Sequence, residues 1–265
     1  MNRHEMKSSG SWSAPPVPED AEESTLLTVS GLSVILRGYR ALRDISFTLG
    51  EGEIVGVAGP NGGGKTTLLR TIAGLVRPNA GEILAPLVRP GGRPQGIGYL
   101  PQGLEMGSLP ICTYDLVMMG RTRLIGPGRR PGTGDHEKVR ESLAAFEVDR
   151  SLWHLPASAL SGGQMRRALL AMMFAGENRL LLLDEPAEAL DITAERQLYR
   201  TLRDLCERSG SGILLVSHKL DLMLRAVHRL LLINCTLYLD GQPETVLQSP
   251  QMKLCFGLTG KDELH

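Results

Sequence analysis

The chain has 265 residues, and its formal net charge is zero because 29 Lys and Arg residues balance 29 Asp and Glu residues. Its longest unbroken apolar run, residues 168–175, is far short of the roughly 20 residues that a membrane-spanning helix needs. A neutral chain with only 4% aromatic residues lacks the charge and the stacking surfaces typical of nucleic-acid binding. We therefore expect a soluble, intracellular, mixed α/β protein that does not bind nucleic acid.

The first third of the chain changes character at about residue 25. Residues 1–24 are rich in Ser, Pro and charge and lack periodicity, which predicts a disordered tail. Apolar patterning then predicts strands over 26–36 and 45–49 and a short buried strand over 54–58. The next predicted element is a helix whose apolar face consists of Leu68, Leu69, Ile72 and Leu75.

The middle of the chain is helical in pattern and is bounded by Pro- and Gly-rich stretches. Thr113 is a candidate N-cap for a helix that runs to Met119, and Asp135 is a candidate N-cap for the next helix. We assign residues 104–158 to a helical insert.

A strand–helix rhythm returns after the insert, and it predicts a mostly parallel sheet. The predicted strands are 180–183, 213–216 and 230–233, and the predicted helices are 165–175 and 193–208. A strand is also expected to end just before Gln102.

The strongest motif follows the buried strand 54–58. It matches G-x-x-x-x-G-K-[ST] between a predicted strand and a predicted helix. Glycines let backbone N–H groups surround phosphates, and the helix N-terminus adds partial positive charge. Lys65 would reach the β- and γ-phosphates, and the Thr66 hydroxyl would bind Mg²⁺. The predicted nucleotide site consists of Gly59, Pro60, Asn61, Gly62, Gly63, Gly64, Lys65, Thr66 and Thr67. The alternative is a Gly-rich turn with a chance lysine.

Two carboxylates end the apolar stretch 180–183. Burying Asp184 and Glu185 is costly unless a cation or a ligand compensates their charge. We expect Asp184 to hold Mg²⁺ through water and Glu185 to polarise the attacking water. The alternative is a surface Asp-Glu turn after a core strand.

Three weaker signals share this context. His218 follows an apolar strand and would stabilise charge on the γ-phosphate, although a lone His there is more often an ordinary loop residue. Residues Ser161, Gly162, Gly163 and Gln164 precede a helix, where they form an anion site or an ordinary N-cap. Gln102 alone is weak evidence. Gly59, Asp184 and His218 all follow strand ends, where ligands of open α/β sheets bind.

In this order, the motifs resemble those of the ATP-binding cassette (ABC) ATPase family over residues 26–250. Gly59–Thr67 looks like the Walker A motif, Gln102 like the Q-loop glutamine and Leu160–Gln164 like the family signature. Leu180–Glu185 looks like the Walker B motif, Ala189–Asp191 like the D-loop and His218 like the switch histidine. The resemblance implies a P-loop core with a mostly parallel sheet, an antiparallel β subdomain and a helical insert. The implied division is 25–103 for the β subdomain and the first part of the core, 104–158 for the helical insert, 159–257 for the rest of the core and 258–265 for a tail.

The resemblance also implies function. ATP and Mg²⁺ would be the cofactors, with Glu185, His218 and Lys65 catalytic and Gln102 a further metal ligand. Two cassettes would sandwich two ATP molecules, so that Ser161, Gly162 and Gly163 of one contact the γ-phosphate held by Lys65 of the other. Gln164 and Asp191 are further nucleotide-binding residues that the resemblance implies. This chain has one P-loop and one signature and would need a second cassette, most simply a copy of itself.

A finer resemblance is to the ATPase subunits of metal-ion importers for manganese, zinc or iron. It lies in the stretches 96–102, 109–121 and 241–257. It implies a transmembrane permease partner, an extracytoplasmic substrate-binding protein and a peripheral position on the cytoplasmic face of the cell membrane.

The sequence departs from the family at several places, and two of them bear on how the site works. Leu36 stands where the family has an aromatic residue that stacks on adenine, and Tyr39 is a candidate substitute. Glu188 stands where the D-loop has Ser, which adds a charge near the expected interface between cassettes.

Two other functions remain open at the level of sequence. One is a soluble ABC ATPase in iron–sulfur assembly, translation or DNA repair. The other is a catalytically silent binding module.

Overall fold

The computed structural model describes residues 25–85, 96–103 and 110–256. The predicted tails 1–24 and 258–265 lie outside these residues, as do parts of the stretches that suggested a metal importer. The strands are β1 (Thr25–Leu36), β2 (Tyr39–Gly50), β3 (Ile54–Ala58), β4 (Ala80–Leu84), β5 (Ile97–Leu100), β6 (Leu180–Asp184), β7 (Gly212–Val216), β8 (Arg229–Asn234) and β9 (Thr236–Gly241).

Nine α-helices alternate with these strands along the described part of the chain. They are α1 (Lys65–Ile72), α2 (Thr113–Met119), α3 (Thr122–Ile125), α4 (Thr133–Ala145), α5 (Gly162–Ala175), α6 (Ile192–Ser209), α7 (Leu220–Met223), α8 (Pro243–Gln248) and α9 (Pro250–Cys255). No helix of the residues described here is long and apolar enough to cross a membrane.

The strands form two sheets. The order β2–β1–β4 makes an antiparallel sheet, and the order β5–β6–β7–β3–β8–β9 makes a larger one. All neighbours in the larger sheet are parallel except β8 and β9. The α/β class, the mostly parallel sheet and the antiparallel β sheet predicted from the sequence are confirmed.

Strands β3, β6 and β7 are buried on both faces, which explains why their sequences are almost continuously apolar. Successive side chains of a strand point to opposite faces. Leu180 and Leu182 of β6 therefore pack in one core cluster with the antiparallel sheet and α1. Leu181 and Leu183 pack in the other cluster with α5 and α6.

Several local predictions were wrong, and each has a physical reason. The strand predicted over 45–49 begins at Tyr39, because Tyr39, Arg40 and Leu42 pair across a hairpin with β1. Helix α1 ends at Ile72, and Leu75 beyond it is 66% exposed instead of lying on the buried face. Strands β4 and β9 were not predicted, since their side chains are mostly exposed or half-buried.

Two predicted N-caps were also wrong. Helix α2 is capped by the Cys112 thiol, which accepts from the Asp115 amide, while the Thr113 hydroxyl donates to the Leu155 carbonyl. Helix α4 begins after Gly132, so Asp135 lies in its first turn and accepts from the Gly132 amide.

The contrast between Leu69 and Leu75 gives a test of the buried face of α1. Leu69→Ala should lower the free energy of unfolding by about 2–5 kcal/mol, because it leaves a cavity in a fully buried region. Leu75→Ala should change it by less than about 0.5 kcal/mol. Urea denaturation measures both variants, and equal losses would contradict the observed end of α1.

Candidate nucleotide-binding site

The predicted site lies at the carboxyl edge of the parallel sheet. Strands β3, β6 and β7 are parallel neighbours, so the loops that follow them meet at one edge. They enclose an open cavity of about 230 Å³. Its lining residues are Ala41, Asn61, Gly62, Gly63, Gly64, Lys65, Thr66, Thr67, Gln102, Asp184, Glu185, Val216 and His218.

The loop between β3 and α1 needs glycine where it passes other backbone. A Cβ on Gly59 would lie 1.8 Å from the Ile233 carbonyl oxygen. A Cβ on Gly64, whose φ is +94°, would lie 2.5 Å from the Ala41 carbonyl oxygen. Helix α1 begins immediately afterwards at Lys65, so its first amides and its positive dipole end face the cavity.

Lys65 is held against the wall of this cavity. Its Nζ donates to the carbonyl oxygens of Gly59 and Pro60, each at 2.8 Å. Burial lowers the pKa of Lys65, while the charges of Glu185 and Asp184 act in the opposite direction. Gly59 and Pro60 thus position the lysine and do not themselves line the cavity.

The two carboxylates after β6 are buried, with Asp184 at 1% and Glu185 at 8% exposure. Burial raises the pKa of both carboxyl groups above their usual values. A hydrogen bond from the His218 backbone lowers the pKa of Glu185 in part, and the His218 Nε2 atom lies 3.3 Å from Glu185 Oε1. A carboxylate with a raised pKa beside a phosphate-binding loop is suited to accept a proton from water.

His218 is positioned by its neighbours. Ser217 Oγ accepts from the Tyr199 hydroxyl of α6 at 3.1 Å, and Lys219 Nζ lies 2.6 Å from Oε2 of the fully buried Glu195. Both sides of His218 are therefore anchored to one helix.

The oxygen atoms beside Lys65 fit a divalent cation. Asp184 Oδ2 is buried and has no hydrogen-bond partner among the residues that the structure describes. The Thr66 side chain hydrogen-bonds to the same carboxylate and lowers its pKa in part. Carboxylate, hydroxyl and amide oxygens are the ligands that Mg²⁺ prefers, and Gln102 lines the same cavity.

The signature residues lie elsewhere. Ser161 caps α5, since its Oγ accepts from the Gln164 amide while its own amide donates to Gln164 Oε1. Asp191 caps α6 by accepting from the Ala194 amide. Ser161, Gly162, Gly163, Gln164 and Asp191 line a second cavity of about 430 Å³ that shares no lining residue with the first.

The hairpin beside the phosphate loop carries the two candidates for contact with adenine. Leu36 and Tyr39 pair across the hairpin, and Tyr39 is 80% exposed. Neither residue lines the cavity, whereas Ala41 on the same strand does. Which of the two meets the base stays a prediction.

One buried residue of this region was not predicted from the sequence. Arg166 on α5 donates to the carbonyl oxygens of Pro101, Asp184 and Glu185. A signal for it was present, because Arg166 is a charged residue at helical spacing from the buried Leu169 and Leu170.

The parallel sheet is covered on both faces, and its carboxyl edge carries a phosphate loop, a lysine and two carboxylates. This combination defines a P-loop nucleoside triphosphatase. Residues 42–188 match the family model described as ABC transporter. The chain belongs to the ABC transporter family, and it is an ATPase subunit of that family.

Related proteins are similar in sequence to this chain over most of its length. It is 33% identical over 235 residues to the zinc import ATP-binding protein ZnuC of Hydrogenovibrio crunogenus, covering 88% of each chain. It is 35% identical over 241 residues to the ZnuC protein of Chromohalobacter salexigens, covering 91% of this chain and 93% of that one. A solved structure of a proposed metal-chelate type ABC transporter in an inward-facing conformation matches with a TM-score of 0.76 and 27% identity, over 88% and 89% of the two chains.

The raised pKa of Asp184 gives a test by stability. Since the pKa is raised in the folded state, the stabilisation from this group is present at acidic pH and is lost as the pH rises through the folded value. Asp184→Asn removes this pH dependence, so without nucleotide the melting temperature of the variant, relative to that of the wild type, should rise by a few degrees as the pH rises.

This relative gain should shrink as the pH falls, because protonation of the wild-type carboxyl removes the penalty for its charge. Asp204→Asn on the exposed face of α6 is the control and should show no such pattern. A melting-temperature difference between Asp184→Asn and the wild type that does not rise with pH would contradict the argument.

Proposed function

We propose that this chain powers the import of a metal ion or metal chelate through a separate transmembrane permease by binding and hydrolysing ATP. The observation that carries the proposal is the cluster of Lys65, Asp184, Glu185 and His218 around one cavity. Similarity to zinc import proteins over about nine-tenths of the chain supports the metal cargo.

The roles of the residues follow from their places in the site. The phosphate loop from Gly59 to Thr67 binds the triphosphate, with Lys65 as the cation at the β- and γ-phosphates. Thr66, Asp184 and Gln102 would hold Mg²⁺, which would neutralise charge on the phosphates when bound.

Hydrolysis then needs a base and a group that stabilises charge. Glu185 accepts the proton of the attacking water, which its raised pKa favours. His218 stabilises the negative charge that develops on the γ-phosphate.

The position of the signature residues supports a composite site. Ser161, Gly162, Gly163, Gln164 and Asp191 lie away from Lys65 on the same chain, so a second subunit would supply them. The simplest partner is a second copy of this chain, related by a two-fold axis.

We also propose that the protein lies at the cytoplasmic face of the membrane, which its similarity to import ATP-binding proteins supports. The permease is the membrane partner, and a substrate-binding protein delivers the cargo. The helical insert, residues 104–158, together with Gln102, transmits the closure of the dimer to the permease.

The role of Glu185 is tested by its closest uncharged replacement. Glu185→Gln should lower the rate of ATP hydrolysis by about 10²-fold or more, because the general base is lost. ATP binding should persist, since Lys65 and the phosphate loop are intact. Phosphate release and fluorescent-nucleotide binding measure the two properties, and hydrolysis at the wild-type rate would show that Glu185 is not the base.

Metal transport is tested in cells. Uptake of radioactive zinc, manganese and iron is compared between cells that carry the wild-type chain and cells that carry Lys65→Ala. Loss of uptake of one metal, with recovery of a polytopic membrane protein alongside the chain, is the expected result. Recovery with ribosomes or scaffold proteins and unchanged uptake would favour the soluble alternative.

A further inference from the structure

We propose that Arg166 is a positioning residue for ATP hydrolysis and that Glu188 orients it, so that helix α5, the Gln102 loop and Glu185 move as one unit. The inference rests on the proposed roles of Glu185 and Gln102.

Arg166 connects three segments of the site through one guanidinium group. Its Nη1 donates to the Pro101 carbonyl oxygen at 2.9 Å, next to Gln102. Its Nη2 donates to the Asp184 carbonyl oxygen at 3.0 Å and to the Glu185 carbonyl oxygen. A planar fork of donors can serve these acceptors together, whereas an ammonium group cannot reproduce the geometry.

The backbone that Arg166 holds is strained. Glu185 has a φ of +53°, in the left-handed region that side-chain-bearing residues rarely adopt. Such a conformation costs energy and persists where surrounding contacts determine it. The Glu185 amide donates to the Val216 carbonyl, and its carbonyl accepts from the Glu188 amide and from Arg166. These contacts fix the direction in which the Glu185 carboxylate leaves the main chain.

Glu188 ties this arrangement to the Gln102 loop. Its Oε2 atom accepts from the Gly103 amide at 3.2 Å and lies 3.6 Å from Arg166 Nη2. The residue therefore contacts the segment just after Gln102 and the guanidinium that holds Glu185. Glu188 directly precedes the Ala189–Asp191 segment, so this segment is connected through Glu188 to the Gln102 loop and to Arg166.

The burial of Arg166 argues against a purely structural role. The residue is 5% exposed, and its Nε has no hydrogen-bond partner among the residues described. A buried charged side chain is often no more stabilising than apolar side chains of similar volume. What an apolar residue could not do at this position is hold the Pro101, Asp184 and Glu185 carbonyls in fixed relation.

Arg166 lies on the helix that carries the signature residues, and this position couples the two. It lies in the first turns of α5, just after Ser161–Gln164, which the proposed function assigns to the ATP of the partner subunit. A shift of α5 when that ATP is engaged would move the Glu185 main chain and the Gln102 loop together. Arg166 and Glu188 thus link partner engagement to the position of the general base.

The chain offers a matched control in a second Arg–Glu pair. Arg121 lies 3.0 Å from Glu177 and donates to the Ala175 carbonyl, away from the cavity. The two glutamates are similarly exposed, at 45% for Glu188 and 52% for Glu177. Arg121→Met and Glu177→Gln therefore remove contacts of the same kind without touching the Gln102 loop or Glu185, and Arg121→Met also removes the 3.0 Å ion pair with Asp135.

The test measures kcat and KM for ATP together with thermal unfolding. Arg166→Met should lower kcat by about 10²-fold, the scale of a misplaced catalytic group, with KM changed by less than about twofold because Arg166 does not line the cavity. Arg166→Lys should recover part of the loss, since it keeps the charge without the fork. Arg121→Met should leave kcat unchanged at a similar cost in melting temperature.

Glu188→Gln keeps the test decisive if Arg166→Met does not fold. It should lower kcat by about threefold, the scale of a partly exposed ion pair, while Glu177→Gln leaves kcat unchanged. Wild-type kcat in Glu188→Gln, or equal losses in the two glutamate variants, would overturn the inference. Lys65→Ala and Glu185→Gln run in the same assay: if they stay active, the proposed function itself fails, independently of Arg166.

Discussion

The constraint on which the site depends is the burial of four charged side chains at the carboxyl edge of the parallel sheet. These are Lys65, Arg166, Asp184 and Glu185. An isolated buried charge is strongly unfavourable, so the two cations and the two carboxylates lie together. Main-chain carbonyls complete the compensation, with those of Gly59 and Pro60 on Lys65. The loops that form the proposed phosphate site thus also compensate the buried charges of these four side chains.

The sequence predicted those features that arise from strong local rules. Continuous apolar runs located β3, β6 and β7, and the glycine-rich motif located the phosphate loop between β3 and α1. Parallel strand ends meet at one edge, so Asp184 and His218 could be expected beside Lys65 without any contact being known. The raised pKa of the carboxylates follows from the same burial that the apolar strand implied.

Features set by tertiary contact could not be read in the same way. Thr113 and Asp135 are residue types that often cap helices, but the N-cap of α2 is a cysteine and the N-cap of α4 is a glycine. Leu75 has the right spacing for the buried face but lies beyond the last turn of α1. The partners of Arg166 come from segments 18 to 65 residues away, so no local pattern identifies them.

The proposed dimer requires that one chain carry two half-sites, which a second copy completes. The most direct measurement mixes two inactive variants, Lys65→Ala in the phosphate loop and Gly162→Asp in the signature, and follows ATP hydrolysis. A composite site predicts that activity appears on mixing, because mixed dimers join an intact phosphate loop to an intact signature. If the mixture stays as inactive as either variant alone, the two half-sites do not combine across chains and the claim is wrong.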